Sequence, residues 1–215
     1  MPTLGYWKTR GIGQPIRLLL NYVKEEFDDV YYEMGDAPDY SRDAWLNVKY
    51  TLGMNFPNLP YYIDGDVKVS QSNAILRYIA RKHDLLGKTD EEKTNVDMML
   101  DIAMDMRNGV IKMVYNKDYE KLIKEYEPKC KEILAGYEKW LSSHKWFGGD
   151  DVTVADFHMY ELLDQHRLMI KDVLVPYPNI TKFMAAFEAL PAIKAYMASD
   201  KFMKQPINNK FASFI

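Results

Sequence analysis

The chain changes character at Leu86-Gly87-Lys88. Before that point strand and helix patterns alternate; after it strand signals stop and helical periodicity continues to the end. That switch confines the fold to an α/β unit of about 80 residues joined to an all-α unit. In the first part Thr3-Leu4-Gly5-Tyr6-Trp7 reads as a strand. Gln14 to Val23 reads as a helix, with Pro15 suited to its first turn and Ile16, Leu19, Leu20 and Val23 on one face. Phe27 to Met34 reads as a second strand, and the loop from Gly35 to Tyr40 carries a proline and clustered aspartates. Ser41 can cap a short helix running through Lys49. Pro60 to Ile63 and Val67 to Val69 are strand-like runs around Asp64-Gly65-Asp66, a hairpin-type turn. Gln71-Ser72 then opens a helix with Ala74, Ile75, Tyr78 and Ile79 on its apolar side. The order strand-helix-strand-helix-strand-strand-helix fills residues 1–82.

A linker over 83–89 leads into 90–215. Thr89 and Asp90 before Glu91-Glu92 mark a helix start. From there to Tyr115 the pattern is helical and rich in methionine. A second long helix fits Tyr119 to Leu141, with Pro128 near an internal break. Thr153 and Asp156 have the spacing of a capping box, with Asp in place of the usual Glu. Pro178 and Pro191 each start a further short helix.

Composition narrows the function. Of 215 residues, 47% are hydrophobic, which supports a filled core and argues against disorder. A net charge of -3 argues against nucleic acid as the main partner. No apolar run is long enough to span a membrane. The N-terminus lacks the apolar stretch of a signal peptide. The single cysteine, Cys130, cannot form an internal disulfide, which fits a reducing cytosol. The four histidines show no metal-ligand spacing, so no metal site is expected. Gly11-Ile12-Gly13 lacks the third glycine of a dinucleotide loop. No GxSxG elbow and no CxxC pair are present, so any thiol chemistry must take its sulfur from a ligand. From Asn55 to His83 the sequence of proline, strand, turn, strand and polar helix start can set free backbone groups and a helix N-terminus around a small, peptide-like, anionic ligand.

At Tyr6-Trp7, Arg10-Gly11, Pro15-Ile16-Arg17, Pro57-Asn58-Leu59-Pro60 and Gln71-Ser72-Asn73-Ala74-Ile75 the chain resembles the cytosolic glutathione S-transferases. Met34 to Tyr40 followed by Trp45-Leu46-Asn47 and Lys49, and Thr153 through Phe157, resemble the mu class specifically. The resemblance covers essentially the whole chain. It implies a thioredoxin-like N-terminal domain (βαβαββα), an all-α C-terminal domain and a cytoplasmic homodimer. It further implies an enzyme that conjugates reduced glutathione, a co-substrate rather than a resident cofactor, to small hydrophobic electrophiles in detoxification.

The resemblance also assigns roles. Tyr6 donates its hydroxyl hydrogen to the bound sulfur. A free thiol of pKa ~8.5 is only about 3% thiolate at pH 7. Lowering it by ~2 units takes about 2.7 kcal/mol, close to what one hydrogen bond to a charged group supplies, roughly 1.5–3 kcal/mol. The Leu59 backbone before Pro60 pairs with the cysteinyl amide as an added strand would. This needs its N–H and C=O free, as a cis bond would leave them, though an ordinary trans proline remains open. Gln71 and Ser72 take the γ-glutamyl carboxylate, with Ser72 as a plain helix cap the competing reading. Arg42, Trp45 and Lys49, with Asn58 nearby, are candidates for the glycine carboxylate, each taken singly reading equally as a solvated or packing residue, and Trp7 is counted with the glutathione-binding set. Asp97, Asp101 and Asp105 form a stripe on the first long helix; Asp101 reads as hydrated surface, and Asp105 reaches across the dimer to the ligand's ammonium. Phe56, Arg77, Arg81 and Asp97 belong to the dimer interface, with Asp97 facing the partner's Arg81. Trp7, Ile12, Met34, Met104, Ile111 and Tyr115 wall the electrophile pocket, although helix core accounts equally well for the methionine and isoleucine positions. Two departures stand out: Gly13 offers no hydroxyl over the Tyr6 ring, and Asn208, Asn209 and Phe214 make the tail unlike the usual mu-class pattern. A non-catalytic carrier of apolar ligands and a glutathione-dependent isomerase of the same fold remain as alternatives.

Overall fold

The computed structural model describes residues 1–215. Twelve elements follow in order: β1 (Thr3–Trp7), α1 (Gln14–Tyr22), β2 (Asp28–Tyr32), α2 (Asp43–Lys49), β3 (Tyr61–Asp64), β4 (Val67–Ser70) and α3 (Ser72–Lys82), then α4 (Asp90–Val114), α5 (Tyr119–Leu141), α6 (Val154–Met169), α7 (Pro178–Glu188) and α8 (Pro191–Met197). The strands form one mixed sheet ordered β2-β1-β3-β4. β1 runs parallel to β2 and antiparallel to β3, and β3 pairs antiparallel with β4. This is a thioredoxin-like α/β unit followed by an all-α unit.

Alternation along the strands divides the sheet's two faces. Leu4 and Tyr62, opposite each other in register, are fully buried on the side where Ile16, Leu19, Leu20, Ile75 and Ile79 of α1 and α3 pack. Tyr32, Trp45 and Tyr61 form a separate aromatic cluster against α2. The β3–β4 hairpin closes through Gly65-Asp66, where Gly65 takes a φ of +59°. Helix α6 is buried on every side from Val154 to His166. Its first turn is fixed by Asp156, whose carboxylate accepts the N–H groups of Phe147 and Thr153, both at 2.8 Å, and the Thr153 hydroxyl at 3.1 Å. α4 starts with a full Thr89/Glu92 capping box. No helix is long and apolar enough to cross a membrane.

Two local expectations are corrected. α5 runs unbroken through Pro128. That residue lies on the exposed face, while Cys130, Leu134, Tyr137 and Leu141 hold the opposite face in the core. Ser41 sits one residue ahead of the α2 cap position, Arg42, and accepts the Asp43 N–H at 3.1 Å. Strand edges shift by a residue or two, β2 ending at Tyr32 and β3 beginning at Tyr61.

Candidate active site

Tyr6 stands near the end of β1 and is 7% exposed. Its hydroxyl oxygen accepts the Ile12 N–H at 3.3 Å. The phenolic hydrogen therefore remains to be donated, and the accepted bond polarises the O–H. The ring is seated against the loop after β1. A Cβ at Gly11, whose φ is +43°, would lie 2.5 Å from Tyr6 Oη, and one at Gly13 would lie 2.5 Å from Tyr6 Cδ1. Gly13 is thus more than a missing hydroxyl: the ring occupies the space a side chain there would need.

The same loop is gripped from outside. Arg10 N–H donates to Pro206 O and Gly11 N–H to Ile207 O, both at 2.9 Å. Gln165 Nε2 donates to Gly11 O at 3.2 Å. The Arg10 guanidinium meets Glu161 at 2.7 and 2.9 Å and also bonds Asp164, all of them buried. Sequence reasoning missed Arg10, Glu161, Asp164 and Gln165 as a set. The available signal was Glu161 and Asp164 interleaved with Phe157, Tyr160, Leu162 and Leu163 on one helix, since buried charges need partners.

The peptide-binding candidates fall into place unevenly. Trp7 and Leu59 pack together on the Tyr32–Trp45–Tyr61 cluster. The Leu59–Pro60 bond is cis. The Leu59 carbonyl accepts no hydrogen bond, but its N–H donates to Asn58 Oδ1 at 2.9 Å. The expectation that both groups stand free therefore holds for the carbonyl alone, and Asn58 is tied to the backbone beside it. Gln71 adopts a φ of +73° at the entry to α3. Ser72 is the first helical residue, and no side-chain hydrogen bond caps this end, so the plain-cap reading of Ser72 is not what the structure shows. Arg42 is exposed, and Lys49 Nζ lies over the Tyr50 ring at 5.2 Å. Asp105 lines a groove between α4 and α5. Arg77 binds Asp97 at 2.7 Å and Asp101 at 3.2 Å within the same chain, so Asp101 is ion-paired rather than merely hydrated.

Three of the electrophile-pocket candidates, Met34, Ile111 and Tyr115, meet the C-terminal tail. Met104, Ile111 and Tyr115 recur on one stripe of α4 by their spacing. Tyr115 Oη accepts the Asn209 N–H at 2.9 Å, and its ring lies 4.7 Å from that of Phe211, which also approaches Tyr40. Phe214 packs on the same cluster as Ile111 and Tyr115. Met34 lines a recess of about 340 Å³ with Thr9, Asn208 and Asn209. Burial holds the Tyr115 phenol above its ordinary pKa, so it stays a donor. A cavity of about 1020 Å³ lies elsewhere, between the end of α1, β2 and α8, and contains none of these residues. Arg107 of α4, also missed from the sequence, is buried close by.

A thioredoxin-like sheet with a cis-proline loop, a tyrosine hydroxyl at the end of β1 and a helical domain closing over it defines a protein class that binds thiol-bearing peptides. Family models support this reading: "Glutathione S-transferase, N-terminal domain" matches residues 2–81, and "Glutathione S-transferase, C-terminal domain" matches 104–200. Glutathione S-transferase Mu 1 of Oryctolagus cuniculus is 47% identical over 99% of this chain and 97% of its own length. Glutathione S-transferase Mu 2 of Mus musculus is 48% identical, covering 98% and 96%. Among solved structures, the glutathione S-transferase Blo t 8 aligns over 98% of both chains with a TM-score of 0.91 at 32% identity. The Pi-class enzyme of Onchocerca volvulus aligns over 98% of this chain and 99% of its own at 0.86 and 29%. The chain belongs to the glutathione S-transferase family, in its mu class.

Proposed function

We propose that this glutathione transferase ionises bound glutathione through Tyr6 and adds the thiolate to small hydrophobic electrophiles, as a cytoplasmic detoxifying homodimer. The observation that carries the reading is the Tyr6 hydroxyl: it accepts one hydrogen bond from Ile12 N–H, keeps its own hydrogen for a ligand, and is packed against a pinned glycine loop. Residues 1–82 hold the peptide, 83–89 link the two parts, and 90–215 supply the electrophile pocket. Leu59 C=O, ahead of Pro60, accepts from the cysteinyl amide as an added strand would. Asn58 exchanges its own-chain bond so that Leu59 N–H pairs as well. Gln71 and Ser72 meet the γ-glutamyl carboxylate at the start of α3. Trp45, with Arg42 and Lys49, meets the glycine carboxylate, and Trp7 flanks the peptide. The second substrate lies against Ile12, Met34, Met104, Ile111 and Tyr115, with Tyr115 donating to developing charge.

Dimer formation completes the site in this reading. Phe56 is 82% exposed although large and apolar, and it lies beside Gln71 in the same recess. Its insertion into a second copy, with Arg77, Arg81 and Asp97 around it, brings the partner's Asp105 toward the ligand's ammonium. The test is retention on immobilised glutathione followed by turnover of a nitro-activated aryl halide. Conjugation at a rate that saturates in both substrates is the expected result. Binding without turnover would instead make the chain a carrier.

A further inference from the structure

Arg17 is a buried cation on α1 that the site described above leaves without a role. Every residue of α1 from Gln14 to Leu20 is buried, and Arg17 is fully sealed among them. A guanidinium withdrawn from water needs acceptors for its five donors. It finds few. Nε donates to Asp29 Oδ2 at 2.7 Å and Nη1 to Thr9 O at 2.9 Å, with Gln14 Oε1 at the limit of contact, 3.5 Å. Nη2 has no partner, and neither has the second oxygen of Asp29. A parallel fork of two bonds would satisfy both atoms. The pair instead makes a single contact, and the guanidinium carbon lies over two rings, 5.0 Å from the centroid of Tyr31 and 6.0 Å from that of Tyr6.

The sheet sets those rings side by side. Tyr6 and Tyr31 are register partners on β1 and β2, and Arg17 reaches over both from α1. A cation over an aromatic face is attracted by the ring's electron density. Over a phenol it also stabilises negative charge gathering on the oxygen, which makes the O–H a stronger donor. The loop residues against the Tyr6 ring, Gly11 and Gly13, bring no side chain of their own. Tyr31 donates to Asp29 Oδ2 at 2.7 Å, and burial holds its phenol and that of Tyr196 on α8 above their ordinary pKa, so both are neutral near pH 7. Arg107 and the Tyr115 phenol of α4 are also in electrostatic reach of Tyr6. Asp29 is thus the carboxylate paired with Arg17.

We propose that Arg17 is a positioning residue for Tyr6: its buried charge strengthens the hydroxyl as donor to the bound thiolate, and Asp29 sets how much of that charge is felt. The proposal rests on the role of Tyr6 given under Proposed function and deepens it by naming what tunes the donor. The loop does not depend on Arg17 for its place. Without the Thr9 contact, Arg10 N–H still meets Pro206 O, Gly11 N–H meets Ile207 O and Gln165 meets Gly11 O. Ionisation of bound glutathione therefore reads the charge rather than the fold of the loop.

The experiment titrates glutathione bound at saturation in wild type, Arg17→Met, Arg17→Lys, Asp29→Asn and the double variant Arg17→Met/Asp29→Asn, with thermal melts of each. A unit charge about 10 Å away moves a pKa by about one unit at an effective dielectric of about 20, and a counter-charge cancels part of it. The double variant leaves no lone buried ion. It is expected to raise the thiol midpoint by about half a unit, and Arg17→Met by at least as much. At a pH about one unit below the wild-type midpoint, kcat/KM for a nitro-activated aryl halide falls about threefold in the double variant, while glutathione affinity stays within about twofold. Arg17→Lys keeps the charge and recovers at least half of the Arg17→Met shift. Asp29→Asn uncovers the cation, so its midpoint falls by about half a unit even as a lone buried charge lowers its Tm. A purely structural pair gives a different pattern, because loosening Tyr6 raises the midpoint whichever partner is removed. A midpoint raised in Asp29→Asn, one unchanged in the double variant, or Arg17→Lys titrating like Arg17→Met would each overturn the proposal. A wild-type midpoint equal to that of free glutathione would instead remove the role of Tyr6 itself.

Discussion

Replacing Gly11 by alanine puts a methyl carbon 2.5 Å from Tyr6 Oη. Ordinary contact begins near 3.4 Å, so one of the two must retreat by about 0.9 Å. The loop is poorly placed to do so, because Gly11 N–H is bonded to Ile207 O and Gly11 O receives Gln165 Nε2. The hydroxyl must move. A hydrogen bond to a charged acceptor is worth roughly 1.5–3 kcal/mol, and displacement on this scale forfeits half or more of it. The loss of about 1–2 kcal/mol corresponds to about one pKa unit on the bound thiol. Ultraviolet titration of thiolate in the glutathione complex should therefore show a midpoint about one unit higher, with kcat/KM below that midpoint falling about tenfold. Stability should also drop by about 1 kcal/mol, since a φ of +43° strains any residue with a Cβ. Gly65→Ala provides the control: its φ is +59°, but nothing lies within 4 Å of the new methyl. It should cost similar stability and leave the thiol midpoint alone. An unchanged midpoint in Gly11→Ala, or an equal shift in Gly65→Ala, would refute the reasoning.

Phe56→Ser should convert the proposed dimer to monomer at micromolar concentration, read by analytical ultracentrifugation; a wild-type monomer at that concentration would end the dimer reading. Burial pushes the Glu25 carboxyl up, but bonds from Lys82, His83 and Tyr62 outweigh it and hold the group below the ordinary carboxylate range. A depressed native pKa contributes stability above the unfolded value, near 4.3, and loses it as pH falls through the native one. Glu25→Gln should thus be less stable by about 1 kcal/mol at pH 7, and urea melts should show the gap to wild type closing in acid. Glu161→Leu should destabilise by about 3 kcal/mol, because Arg10 keeps only Asp164 as a buried counter-charge; a melt within a degree of wild type would contradict this.

Much of the fold is legible because its signals are local. Thr89 with Glu92 and Thr153 with Asp156 announce helix starts that the structure shows as capping boxes. The Gly65-Asp66 turn fixes a hairpin that alternation alone leaves open by a residue. Pro128 misleads because proline's cost depends on which face it occupies, and burial of that face is a tertiary property. The site divides the same way. The positions of Leu59 before Pro60 and of Gln71-Ser72 at the start of α3 carry local punctuation, whereas Tyr6 inside β1 is singled out by the family resemblance. The Arg10–Glu161–Asp164 clamp is not legible, since its partners are about 150 residues apart. Arg107 is invisible for a related reason: a cation on a helix reads as surface until the surrounding helices are known.

Titration of glutathione bound at saturation, in wild type and in Tyr6→Phe, addresses the catalytic assignment most directly. Wild type should ionise the bound thiol about two units below the ~8.5 of the free thiol, and the phenylalanine variant should return close to the free value while still binding the peptide. Identical midpoints in the two proteins, or a wild-type midpoint equal to that in buffer, would contradict the assignment of Tyr6.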